Sequence, residues 1–562
     1  MFQLHALDYF IVAFYFLFVL GVGYYLKGRT RSGEDFFLAG RGQSAWVAAI
    51  SFIAASMGAL ELMGWAAATY QYGLLAVHWY WIGVVPAMLI LGLFMMPFYH
   101  ISRTHSVPGY LKLRYGESSR VLAAVTFLFM TLLASGISMY AMGLVLENFF
   151  GWDFDISIWA TALVVCAYVA MGGLTSAIFN EIVQFFLIWA GGFLIPVYGL
   201  IEVGGWHKLT EKVMQRAAEL TPPGAVVLDR IHIWSTLGSP ADNPMGMHWL
   251  GITFGLCFIL ATGYWCTDFL VVQRVLTARD LRSARMAPVI ASIFKVSVPL
   301  IVILPGLLGF ALLPGLQPES PGINASETYN AVLPLMMKRY FGPGLIGLGL
   351  TALMAGFMSG MAGNVSAFST VWTYDIYRSL IRKSAPDKHY LNMGRWCTVL
   401  GVLISILSTY LVKQFSSMAV YTQALFSFFI APLFGTVALG MFWKRASAGA
   451  GFWGLLAGML AATALFFGVR LGAIDPYYLT LSQAPSEMSL YVWQATWAFL
   501  ATIAVTVAVS LFSSPRPDKE LDGLVYGATL LPGEAGTPWY RRPVFWACFS
   551  LTIFISLNII FW

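Results

Sequence analysis

The stretch 54–65, "AASMGALELMGW", lies inside a long apolar run and carries a carboxylate, Glu61, near its middle. An acidic side chain at the centre of a membrane span costs roughly 3 kcal/mol or more. Just before it stand Ser56 and Gly58, two residues of low helical commitment. A span interrupted near its centre frees carbonyls and amides, and such backbone is tolerated at membrane depth only where it faces a cavity or is buried in protein. Freed carbonyls are hard oxygen ligands suited to Na⁺, and hydroxyls from another helix complete such a shell. The break and the carboxylate together point to a binding site inside a membrane.

The rest of the chain agrees with that setting. Of its 562 residues 59% are hydrophobic and 10% charged, far too little charge for the surface of a soluble protein this size. Apolar runs near the ~18–20 residues needed to cross a bilayer recur throughout. They predict fourteen spans: 7–26, 44–72, 74–101, 119–148, 156–174, 178–203, 247–271, 286–315, 344–376, 394–412, 419–443, 449–470, 491–513 and 543–561. The first lacks a basic leader and a small-residue cleavage site, and reads as a retained helix rather than a secretory signal. The fold class is an all-α polytopic membrane protein.

Charge sets the orientation. The loops after odd-numbered spans hold 23 of the 32 Lys and Arg residues, those after even-numbered spans hold 8, and Lys295 lies within a span. By the positive-inside rule both termini lie outside. This asymmetry accounts for the net charge of +6, which is therefore no nucleic-acid signature. The five cysteines and eight histidines show no metal-ligand spacing. In the outer loop 204–246, "KLTEKVMQRAAEL" (208–220) reads as a helix. The "NAS" at 324–326 is a glycosylation acceptor only in a eukaryotic secretory setting. "GPGLIG" (342–347) matches a dinucleotide fingerprint formally, but no strand precedes it and a span follows. No soluble segment is long enough to be catalytic, and no nucleophile–base pair stands out, so the chain is not read as an enzyme.

Several spans carry polar groups that lipid would not tolerate: Glu61, Glu181, Asp268, Lys295, Gln423 and the hydroxyl-rich run 358–375. Each is a functional candidate with a plainer alternative. Asp268 has a structural partner within reach in Arg274, and Glu181 sits near a span end where it can snorkel. Ser366, Ser369 and Thr370 can bond the backbone one turn back. Span 2 contains "AASMGALELMG" and span 7, five spans later, "ATGYWCTD". Interrupted helices at matching positions of two halves mark a transporter site.

At these residues the chain resembles the sodium:solute symporter family, within it the sodium/glucose cotransporter branch. "SGEDFFLAGR", "GGLTSAIFNEIVQ", "GYWCTDFLVVQRVLTAR", "STVWTYDIY" and "MFWKR" carry the likeness, in order, along essentially the full chain. The resemblance implies a leucine-transporter-type core with five-plus-five inverted repeats, 44–203 and 247–443. Residues 1–43 would be a preceding helix and inner loop, and 444–562 three peripheral helices. It implies a Na⁺ site from the carbonyls of Ala54, Met57 and Gly356 and the hydroxyl of Ser359. Gly360 stands where the family has a second hydroxyl. Glu181 replaces an aspartate linked to cation passage, a possible second cation or proton site. Lys295 and Gln423 match sugar-contacting positions, and Tyr264 an aromatic gate. Glu61 stands where relatives have Gln or His, Tyr80 where the sugar branch has Glu, and Ala261 where Asn or Thr is common.

The function expected is Na⁺-coupled symport of a monosaccharide or related polar solute by alternating access, in the plasma (cell inner) membrane. No organic cofactor and no nucleic acid is implied, and a monomer suffices. Two alternatives stand beside it. One is symport of a cationic or zwitterionic amine held by Glu61 among Trp65, Trp79 and Tyr264. The other is a non-accumulating sensor or conductance on the same fold, kept open by Gly360.

Overall fold

Backbone that crosses lipid must satisfy its own hydrogen bonds, and for these sequences helix is the means. The computed structural model describes residues 4–27, 37, 39–317, 327–531 and 537–562, and among them only isolated bridges, no strands, accompany the helices. Most of "SGEDFFLAGR" and the whole of "NAS" at 324–326 lie outside the described residues.

The helices that follow the apolar runs are α1 (Ala6–Lys27), α2 (Ala45–Ser56), α3 (Leu60–Val77), α4 (Trp79–Ile101), α5 (Glu117–Phe150), α6 (Phe154–Gly192) and α7 (Leu194–Val203). After the 204–246 loop come α8 (Gly251–Thr267), α9 (Phe269–Leu276), α10 (Leu281–Leu312), α11 (Leu345–Ile381) and α12 (Asp387–Val412). The chain closes with α13 (Met418–Phe428), α14 (Ile430–Phe442), α15 (Ala448–Arg470), α16 (Glu487–Phe512) and α17 (Pro543–Ile560). By length and composition nine described helices can cross a membrane, twelve if three bent pairs each count as one span. The two remaining expected spans, 7–26 and 156–174, fall within the helices Ala6–Lys27 and Phe154–Gly192. The boundary expected at 174–178 is not a break: helix runs through it from Phe154 to Gly192. The glycine pair there, with no proline nearby, does not interrupt a helix formed on both sides.

The bends have local causes. Between α2 and α3 the axis turns by 59°. Met57 leaves helical geometry (φ −79°, ψ 47°), while Ser56 bonds the carbonyl of Ile53 at 2.6 Å. Between α8 and α9 the turn is 47°; Asp268 is extended there, and its Oδ1 accepts from the Leu270 amide at 2.8 Å as the N-cap of α9. A third bend, 45° between α13 and α14, divides a run expected to be one span. Pro432, in the first turn of α14, has no N–H to give the preceding turn.

The loops sort onto two faces. Gln43 exchanges backbone hydrogen bonds with Thr277 and Arg279, 3.0 Å each. Arg41 reaches the Thr104 carbonyl at 3.0 Å, Arg114 the Trp443 carbonyl at 3.1 Å, and Arg516 the Leu113 carbonyl at 2.7 Å. Every one of these belongs to a basic odd-numbered loop or its edge, so the alternation read from charge is built into the packing. On the opposite face Arg230 of the 204–246 loop donates to the Gln71 carbonyl at 2.7 Å and lies over the Phe310 ring. Burial lowers its pKa to about 10, leaving it charged at neutral pH. The helix expected at 208–220 is present as Trp206–Leu220, burying Leu209, Val213 and Ala217 on one side. Trp562 packs on Trp234 of the same loop, ring centroids 5.4 Å apart, and Asp8 reaches the start of α11.

That Asp8 contact also explains "GPGLIG". The Gly344 and Gly347 amides, each 2.7 Å from Asp8 Oδ1, open α11. The anion at this helix N-terminus is the protein's own carboxylate. Asp8→Ala should destabilise the protein by about 1–2 kcal/mol, the range for a lost N-terminal cap. The expected readout is a lower thermal unfolding midpoint in detergent, with Asp8→Asn falling between wild type and alanine.

Candidate solute and cation site

The break between α2 and α3 places Glu61 on a wide, π-type first turn of α3, where the side chain is buried. Such turns redirect side chains at functional positions. Tyr80, on a similar turn opening α4, donates its hydroxyl to Glu61 Oε2 at 2.5 Å. Lys295 from α10 brings its Nζ within 3.1 Å of Glu61 Oε1 and lies 5.0 Å from the centre of the Trp265 ring. One carboxylate, one ammonium and one phenol, all buried, thus form a charge-balanced cluster. Burying either ion alone would cost several kcal/mol; pairing and the extra hydrogen bond offset that cost.

Beside this cluster runs a column of stacked rings. Trp65 stacks on Trp79 at 5.0 Å, Trp79 on Phe426 at 6.3 Å, and Phe426 on Tyr264 at 5.0 Å. Glu61, Trp79, Tyr264 and Phe426 face a cavity. Gln423, one helical turn before Phe426 on α13, is buried with both amide atoms lacking a hydrogen-bond partner among the described residues; so are the indole nitrogens of Trp65 and Trp79. Of these, Trp79 lines the cavity, whereas Gln423 and Trp65 do not, although Thr422, beside Gln423 in the chain, does. An unpaired polar atom at a cavity wall is where a polar ligand finds a partner.

The residues expected at the solute site are therefore brought together, in two ranks. Glu61 and Tyr264 line the cavity directly, whereas Tyr80 and Lys295 stand behind Glu61 and engage it. Ala261 is not part of the wall. A Cβ on Gly83 would lie 2.7 Å from its methyl group, so α4 and α8 pack tightly there. Phe426, Asn364, Ser138 and Asp268 also line the cavity, and sequence reasoning did not assign them to it. For Phe426 the i+3 spacing from Gln423 was a usable signal.

The cation residues converge on the same break. Ser359 Oγ of α11 donates to the Ala54 carbonyl at 3.2 Å. A Cβ on Gly356 would stand 2.6 Å from the Met57 carbonyl oxygen, and one on Gly58 3.4 Å from Gly360 Cα. The glycines thus let α11 press directly against freed backbone. Hard, neutral oxygens from carbonyls and a hydroxyl fit a monovalent cation better than a divalent one, which draws on carboxylates. Among the described residues no group of three His, Cys, Asp or Glu could hold a metal.

Glu181 neither snorkels nor stands free. It is buried, with Oε1 2.6 Å from Arg274 Nη2, while Ser51 donates to Oε2. Arg274 is thus the partner of Glu181 rather than of Asp268, which caps α9. The pair ties together α2, α6 and α9, close to the cavity.

A bundle of membrane-spanning helices, two of them broken beside a paired polar cluster and a cradle of hard oxygens, is the architecture of a secondary transporter. The sodium:solute symporter family model matches residues 36–458, and the chain belongs to that family. It is 28% identical to the rat sodium/glucose cotransporter 2 over 550 residues, covering 92% of this chain and 80% of the relative. The human sodium/myo-inositol cotransporter 2 is also 28% identical, over 537 residues, 92% of this chain and 78% of that one. In structure the chain is similar to a Na⁺-coupled sialic acid symporter in a substrate-bound outward-open state. That likeness has a TM-score of 0.74 at 19% identity and covers 91% of this chain and 99% of the other. The relatives are transporters, and the chain is one too, not an enzyme.

The buried cluster has a measurable signature. Lys295→Met strands the Glu61 carboxylate and should cost about 3–5 kcal/mol. Adding Glu61→Gln removes the stranded charge, so the double variant should unfold at a higher temperature than Lys295→Met alone. Additive losses in the thermal melts would mean the two side chains do not pair.

Proposed function

We propose that this protein couples Na⁺ entry to uptake of a neutral polyhydroxyl solute, a monosaccharide or related polyol, by alternating access. The observation that carries the reading is the Glu61–Lys295–Tyr80 cluster, whose carboxylate opens on a cavity lined by aromatic rings. Glu61 offers a carboxylate acceptor at the cavity wall, its charge balanced by Lys295 behind it, and sugar hydroxyls can donate to it. The ring faces of Trp79, Tyr264 and Phe426 suit the apolar face of a sugar. The cotransporters of glucose and myo-inositol among the relatives support the same solute class. A cationic amine is less well served, because the carboxylate it would need is already engaged by Lys295.

In this reading 44–203 and 247–443 are the two inverted repeats, 444–562 adds three peripheral helices, and a monomer suffices. The basic loop face is cytoplasmic, placing both termini outside the plasma (cell inner) membrane. The carbonyls of Ala54, Met57 and Gly356 with Ser359 Oγ hold Na⁺, which steadies the broken α2–α3 hinge. Glu181, paired with Arg274, acts as a latch whose opening would admit a second cation or a proton.

Purified protein in proteoliposomes with an imposed Na⁺ gradient tests the proposal. Accumulation of a labelled monosaccharide or polyol above equilibrium is expected; current or binding without accumulation would favour a sensor or conductance. Ser359→Ala should raise the Na⁺ concentration for half-maximal uptake at least severalfold. Unchanged Na⁺ dependence would remove Ser359 from the site.

Glu61→Gln separates the solute classes. It keeps an acceptor of similar shape, so a sugar should lose about tenfold in apparent affinity, roughly 1.4 kcal/mol. Lys295→Ala should weaken sugar binding clearly. A cationic solute would instead lose on the order of a hundredfold at Glu61→Gln and gain at Lys295→Ala.

A further inference from the structure

Ser138 lines the cavity without a role assigned so far, and its surroundings differ from those of other hydroxyls on α5. Thr131 and Ser135 satisfy theirs on carbonyls one turn back, Thr131 at 3.0 Å and Ser135 at 2.8 Å. That is the ordinary fate of a hydroxyl inside a helix. Ser138, 6% exposed, makes no hydrogen bond to any described residue and lines the cavity with Gly58 and Gly360. Its oxygen opens on the cavity, where a ligand atom can complete its hydrogen bonding.

Its position is specific. A Cβ built on Gly360 would meet two atoms only, Gly58 Cα and Ser138 Oγ, each at 3.3 Å. The hydroxyl of α5 therefore borders the space that a side chain at position 360 would enter. In the same contact between α11 and the break, Oγ of Ser359, the neighbour of Gly360, donates to the Ala54 carbonyl at 3.2 Å. Three elements, the α2–α3 break, α11 and α5, thus converge with oxygen atoms around a contact made possible by two glycines. The carboxylates nearby are committed elsewhere: Asp268 to the α9 cap, Glu61 to Lys295 and Glu181 to Arg274.

We propose that Ser138 supplies the second side-chain hydroxyl of the cation site, in place of one at position 360. Gly360 and Ser138 are then a complementary pair, in which a side chain at 360 and the hydroxyl at 138 compete for one volume. The inference rests on the Na⁺ reading above and gives that site a ligand from a third helix, α5. Na⁺ would then tie α5 to the hinge and to α11, so that cation binding is felt by the cavity wall directly.

The test is equilibrium binding of radioactive ²²Na⁺ to purified protein in lipid nanodiscs, with no solute present. Ser138→Ala should weaken binding about tenfold, and Ser138→Val likewise, whereas Ser138→Thr, which keeps the hydroxyl, should stay within about threefold of wild type. Ser135→Ala, whose hydroxyl is spent on its own helix, should bind as wild type. Gly360→Ser added to Ser138→Ala should restore binding, because the alanine vacates the room the new hydroxyl needs. Wild-type binding with an unchanged Ser138→Ala overturns the inference and leaves the Na⁺ reading standing; no binding by wild type overturns both. Should the double variant not fold, equal binding by Ser138→Thr and Ser138→Val overturns it on their own. Normal ²²Na⁺ binding in Ser138→Ala with lost sugar-induced thermal stabilisation would assign the hydroxyl to the solute, and so also overturn it.

Discussion

A backbone hydrogen bond that is opened inside a membrane has to be closed again by protein or by a ligand. That constraint, applied at Met57 and Gly58, organises much of what surrounds it. Where α2 ends, the Ala54 carbonyl accepts from the Met57 amide at 3.1 Å and also from Ser359 of α11. That helix approaches along its glycines, with Ser359 as the one side chain in that contact to donate a hydrogen bond. The same interruption turns the start of α3 so that Glu61 faces Lys295 and Tyr80. The contact of α11 with the opened backbone and the buried Glu61 cluster are consequences of one break, a few residues apart.

That closeness suggests how the two could be coupled in physical terms. A cation bound among neutral oxygens at the break would fix the angle between α2 and α3, and this angle positions Glu61. The ion pair with Lys295 means that Glu61 has no net charge to spare for the cation, so the two sites need not compete electrostatically. Glu181 and Arg274 form a second buried pair that holds α2 to α6 and α9. Two such pairs flank the hinge, and a pair whose partners sit on elements that move is well placed to favour one arrangement over another.

Much of this was legible in the chain because its causes are local. Apolar run length and the bias of Lys and Arg predicted the spans and the two loop faces. The broken helices at 54–65 and 262–268 announced themselves through small residues beside carboxylates, and the site residues Glu61, Tyr264, Lys295 and Gln423 through polar character at membrane depth. Where local signals were weak the reading was less sure. The run 419–443 reads as one span although it bends by 45° near Pro432, and the boundary expected at 174–178 is one that the helical run does not have.

Partnership was another matter. Whether Arg274 answers Asp268 or Glu181 depends on which helix lies opposite, and residues 93 positions apart proved to be the pair. Lys295 and Tyr80 read as two separate contacts to solute, yet packing turns both onto Glu61. Ser138 looked like any other helical serine until its missing bond and its nearness to Gly360 could be seen. The sequence alone determined an all-helical membrane protein with broken helices, because hydrophobic length, charge bias and helix-breaking residues act within a few positions. Only the tertiary structure decided which buried charge meets which, because that depends on distances between helices remote in the chain.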